Sequence, residues 1–132
     1  MALATPDVRA WLALAAVNGA IAVVLGAFAA HGLADSVPPA RVDWLETGAR
    51  YQLVHAAALI GIAWTRTVWR GWMPVAAGSG FLLGAVLFSG GLYVAALTGW
   101  RGVIAVVPIG GAGYILGWLF LLAAALRAPW RT

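Results

Sequence analysis

The chain has no cysteine, which excludes disulfides, thiolate metal sites and cysteine nucleophiles while leaving the redox compartment open. Lysine is missing too: all eight basic residues are arginine, only four acids oppose them, and charged residues make up 9% of the chain. A soluble domain carries roughly 25% charge, so a soluble fold is excluded by how little there is to cover its surface. The net charge of +4 comes from scattered arginines. Such scatter argues against a nucleic-acid partner, which needs a basic face making many phosphate contacts.

What fills the chain instead is apolar, 64% of its 132 residues. Four stretches approach bilayer length, at about Ala10 to Ala30, Leu45 to Thr65, Met73 to Leu97 and Val103 to Leu126. A helix needs about 20 apolar residues to cross a hydrocarbon core ~30 Å thick. The expected fold is all-α, an integral membrane four-helix bundle with short loops, in which residues 1–132 form a single four-span domain and membrane lipids are the constant partner. Ala27, Phe28 and Ala29 resemble a signal cleavage pattern, but the apolar run is too long for a signal and is read as a retained span.

Orientation follows from aromatics and arginines. Trp11, Trp64, Trp69, Trp72 and Trp130 would mark one interface and Trp44 and Trp100 the other, with Trp118 alone inside a span. Arg9, Arg66, Arg70, Arg127 and Arg131 fall on the first side, and Arg41, Arg50 and Arg101 on the second. The larger basic share predicts a cytoplasmic first side, with both termini there.

Lipid removes the hydrophobic drive between helices, so packing must come from small side chains and hydrogen bonds. Steps of three and four put Gly19 and Gly26 on one face of span 1, Gly80 and Gly84 on one face of span 3, and Gly113 and Gly117 on one face of span 4. These rows predict close packing and association with a second copy or another membrane protein. Pro108 lies inside span 4, where it is expected to leave the Ile104 carbonyl without its helical donor and to kink the helix.

Span 2 is the least lipid-like, with Glu46, Thr47, Arg50, Tyr51, Gln52 and His55 in its outer half. Glu46 and Arg50 are spaced to pair on one face. Charge at depth is costly and normally turns toward a partner helix or water, so this side is expected to point into the bundle. His31, Glu46, Arg50, Tyr51 and His55 are the expected polar cluster, a candidate ligand or proton site because histidine titrates near neutral pH. The plainer alternative has Arg50 reaching the interface and Tyr51 and His55 bonding between helices. Asn18, Ser89 and Tyr93 are read as local or bridging hydrogen bonders. A haem or metal site at His31 and His55 is a minor alternative, because their depths differ along the helices. Otherwise no cofactor or metal is expected, and the absence of a nucleophile, base and orienter set predicts no enzyme.

The runs Gly26-Ala27-Phe28-Ala29-Ala30-His31-Gly32-Leu33 and Thr47-Gly48-Ala49-Arg50-Tyr51-Gln52-Leu53-Val54-His55-Ala56, with Leu87 to Tyr93 and Pro108 to Gly111, resemble the domain-of-unknown-function 423 family, which is similar to eukaryotic transmembrane protein 256. The likeness spans nearly the whole chain, although family members often carry Gly at position 29 and Ser at position 91. It implies a small multi-span protein of the bacterial inner membrane and assigns no biochemical role. The leading expectation is a non-enzymatic accessory or interaction subunit with a polar cluster in its outer half. The alternatives are a small proton-linked transporter or channel, and the haem- or metal-binding protein.

Overall fold

The computed structural model describes residues 5–128, which form four helical rods joined by short turns. The first rod is α1 (Pro6–Phe28) continued by a π-helical turn, Ala29–Leu33. Pro6 starts it where no amide hydrogen is needed, and Asp7 in the first turn complements the positive end of the helix dipole. The second is α2 (Pro39–Val68), which begins at Pro39, well before the Leu45 start of the expected span. The third comprises α3 (Trp72–Gly84), a π turn at Ala85–Ser89 and α4 (Gly90–Thr98). It ends at Gly99, whose φ of 76° only glycine adopts readily.

The last rod opens with a 3₁₀ segment, Arg101–Val106, and continues as α5 (Val107–Arg127). This corrects the expectation that Pro108 lies in the interior of a helix and leaves the Ile104 carbonyl without a donor. The tighter winding lets the Val107 amide bond the Ile104 carbonyl, and Pro108 falls in the first turn of α5, where its missing donor costs nothing.

The rods from Pro6 to Leu33, Trp72 to Thr98 and Arg101 to Arg127 are long and apolar enough to cross a membrane. The ionisable and amide side chains of α2 keep it out of that set despite its 30 residues. α1 packs along α2, α3 packs along α5, and α2 also touches α3 and α4.

Two clamps show how the chain doubles back. At one end Arg66 Nε donates to Asp7 Oδ2 at 2.6 Å while its Nη1 donates to the Gly71 carbonyl at 2.7 Å. At the other, Arg41 donates to the carbonyls of Ala96 and Leu97 at 2.6 and 2.9 Å, satisfying groups that the end of α4 leaves open. The start of α1 and the end of α5 therefore lie at the same end of the molecule. Trp11 is no interface anchor: it is buried against Gly78. Trp130 and Arg131 lie outside the described residues.

Candidate functional site

Two apolar clusters occupy the two ends of the core. One holds Trp11, Leu59, Ile62, Ala77 and Phe81, and the other Ala29, Leu33, Leu45, Ala49 and Ala96. Between them, halfway along α2, lies a polar layer built on Gln52 and His55, two buried side chains three residues apart and hence on one helix face.

Gln52 links three rods. Tyr93 OH of α4 donates to Gln52 Oε1 at 2.6 Å, Gln52 Nε2 donates to Asn18 Oδ1 of α1 at 2.9 Å, and Asn18 Nδ2 donates to the Leu14 carbonyl at 2.9 Å. The run is fully ordered, because a tyrosine hydroxyl and two amides supply donors and acceptors in matching number.

His55 ties in the fourth rod. Its Nδ1–H donates to the Tyr51 carbonyl at 2.6 Å, and its Nε2 accepts from Trp118 Nε1 of α5 at 3.0 Å. Indole nitrogen only donates and a carbonyl only accepts, so these two neighbours assign the tautomer with the proton on Nδ1. The ring stacks on Tyr114, centroids 3.7 Å apart and planes 15° apart, and Phe81 closes the other side at 5.3 Å. Tyr114 OH and Ser89 Oγ share a hydrogen bond of 2.9 Å. The π turn delivers Ser89, which is fully buried, where the rod packs against α5.

Of the five residues expected to cluster, Arg50, Tyr51 and His55 border one pocket of about 270 Å³ on α2, while His31 and Glu46 stand apart from it. His55 is buried; Tyr51 lies half-exposed at the edge of the layer, its ring 4.8 Å from Phe88. Glu46 and Arg50 are exposed on the outward side of α2, pointing away from the other rods. Among the described residues they form no ion pair with each other. The expectation that this charged side faces inward is overturned: a core with no water can satisfy an amide or a neutral imidazole by pairing, while a guanidinium brings five donors that nothing here accepts.

His31 is exposed on the π turn closing the first rod. Leu33 packs beside Leu45, and His55 lies ~15 Å further along α2 than Leu45, so the histidines do not meet. No cluster of three metal-ligating side chains occurs among the described residues. Gly80 and Gly84 lie against Gly113, Gly117 and Tyr114, whereas Gly26 faces Ala49.

Gln52, Tyr93, Asn18, Tyr114, Ser89 and Trp118 make the layer, and sequence reasoning did not group them. Two signals were available: Trp118 is the one tryptophan set inside a span, and it lies four residues from Tyr114. Chemically the layer is closed on itself. Ser89 bonds tyrosine rather than histidine, and the sole buried side-chain polar atom without a partner among the described residues is Thr5 Oγ1, at the start of α1.

Residues 25–111 match the family described as "Protein of unknown function (DUF423)". The chain is 40% identical over 124 residues to the UPF0382 inner membrane protein YgdD of Escherichia coli (strain K12), covering 90% of this chain and 91% of that protein. It is 35% identical over 121 residues to the UPF0382 membrane protein YwdK of Bacillus subtilis (strain 168), covering 90% and 98%. A UPF0382 membrane protein of Haemophilus influenzae is 33% identical over 118 residues, covering 89% and 94%. No solved structure matches the chain. With three rods able to cross a membrane and relatives named for the inner membrane, this is a multi-pass protein of the bacterial inner membrane. The chain belongs to the DUF423 family of proteins of unknown function.

Proposed function

We propose that this protein is a non-enzymatic accessory subunit, a four-helix bundle that crosses the inner membrane four times, keeps both ends in the cytoplasm and offers the outward face of α2 to a membrane partner. One contrast carries this reading: the polar layer satisfies itself inside the molecule, whereas Glu46 and Arg50 face outward without a hydrogen-bond or ion-pair partner among the described residues. Paired polar atoms in lipid serve as fasteners between helices, and a charged group that faces acyl chains marks a contact.

Clamping of α2 to apolar rods at both of its ends supports a second crossing, since Asp7 holds one end and the last turn of α4 the other. Arg9, Arg66, Arg70 and Arg127 at one end against Arg41, Arg50 and Arg101 toward the other support cytoplasmic termini.

A photo-crosslinker at Ala57, exposed on α2, is expected to capture protein in native membranes, while one at Ile115, exposed on α5, captures none. Liposomes carrying the protein are expected to leak protons no faster than empty ones. Proton flux abolished by His55→Ala, or equal capture at both positions, overturns the reading.

A further inference from the structure

The outward face of α2 has a regular register. Asp43, Glu46, Arg50, Leu53, Ala57 and Ile60 follow one another by alternating steps of three and four and are all exposed. That alternation is the seam of paired helices, the spacing at which one helix stays in contact with another along its length. The buried side of the same helix, with Leu45, Ala49, Gln52, Ala56 and Leu59, is already taken by the other rods.

Depth makes the seam's charges informative. α2 is ~45 Å long, so a centred crossing of ~30 Å of hydrocarbon leaves ~8 Å outside at each end. Arg50 stands ~16 Å along from Pro39, which puts its backbone about 8 Å inside the hydrocarbon. Glu46 is one turn nearer the interface. Pairing within one chain would leave both charges facing acyl chains, and the structure does not pair them.

The inner half of the seam borders a groove of about 490 Å³ between α1 and α2. Leu53, Ala57 and Ile60 form one wall, and Ala15, Gly19 and Ala56 lie among its lining. Small residues of this kind let a neighbouring helix approach closely.

We propose that two copies of this chain pair in parallel through α2, each Arg50 reaching Glu46 of the other copy while Leu53, Ala57 and Ile60 of each seat against the other's α1–α2 groove. It rests on the reading of this face as a docking surface and names the occupant. Copies inserted in one orientation are related by a two-fold axis along the membrane normal, which sets equal depths side by side and makes the contact self-complementary. Arg50 then needs to climb only one turn to reach the opposing carboxylate. The two reciprocal pairs form a neutral set of four charges shielded by two helices. An anionic lipid headgroup fits less well, because Asp43 and Glu46 stand on the same line and repel it.

Because the chain has no cysteine, single introduced cysteines report the contact directly. Oxidation of native membrane vesicles carrying Leu53→Cys, Ala57→Cys or Ile60→Cys is expected to yield disulfide-linked dimers, and Ile115→Cys or Leu119→Cys on α5 none. In the Ala57→Cys background, Arg50→Glu is expected to lower the dimer yield roughly three- to tenfold. Combining it with Glu46→Arg restores the yield, which loss of folding alone would not allow. Uniform or absent dimers across the five positions overturn the pairing. Capture of a different protein at Ala57 overturns it too but leaves the docking surface standing. A phospholipid retained by the monomer in native mass spectrometry and lost in Arg50→Gln, with no dimers formed, assigns the face to lipid and overturns the proposal.

Discussion

The contact between α1 and α2 and the contact between α3 and α5 solve the same problem differently. A Cβ built on Gly19 or Gly26 of α1 meets only the methyl groups of Ala56 and Ala49, at 3.9 and 3.6 Å, which is ordinary contact. These helices are joined instead by directed bonds, Gln52 to Asn18 in the core and Arg66 to Asp7 at the end. Across α3 and α5 the backbones themselves touch: a Cβ on Gly80 would lie 2.8 Å from the Gly113 carbonyl oxygen and 2.9 Å from the Gly117 nitrogen. A Cβ on Gly110 would strike the backbone of Phe88. Where lipid supplies no hydrophobic drive, close approach and hydrogen bonding are separate routes to adhesion; α1 and α2 rely on the second, while the third rod and α5 rely on the first and add the Ser89–Tyr114 bond.

The comparison can be broken most sharply at Gly110. Gly110→Ala sets a methyl group against backbone that cannot rotate away, and about 3 kcal/mol of stability is expected to be lost, as for severe overpacking. Reversible unfolding in mild detergent measures it, and a loss under ~1 kcal/mol would mean that backbone contact does not hold the π turn of the third rod to α5.

A smaller effect is expected at the polar joint. Gln52→Leu removes two inter-helix bonds and strands the Tyr93 hydroxyl and the Asn18 amide, for about 1–2 kcal/mol. Because Asn18→Leu breaks one of the same bonds, the double variant is expected to lose less than the two single losses combined. Simple additivity would show that the bonds act independently. The smallest effect belongs to Gly26→Ala, within ~0.5 kcal/mol of the parent in the same unfolding experiment, because its new methyl finds ordinary contact. A penalty matching that of Gly110→Ala would erase the distinction between the two interfaces.

Much of this was legible in residues taken in order. Apolar length located the rods, and steps of three and four grouped Gly80 with Gly84 and Gly113 with Gly117. On α2 the same method succeeded only in part: Arg50, Tyr51 and His55 do border one pocket, but Glu46 was grouped with them and all were taken to face inward. A helix turns 100° per residue, so Gln52 and His55 face the core while Glu46 and Arg50, only a few positions away, face out. The π turn at Ala85–Ser89 was equally invisible, since no residue type demands it and its effect is a register shift that carries Ser89 to Tyr114.

Composition and spacing alone determined that this chain belongs in a membrane, that it is helical, and how many rods it forms, because burial in hydrocarbon constrains every backbone group in the same local way. Which polar side chains meet was decided only when the rods packed. Gln52 needed Asn18 and Tyr93 from two other rods, and His55 needed Trp118 from a third. A hydrogen bond between helices depends on their mutual rotation and height, and no single segment carries that information.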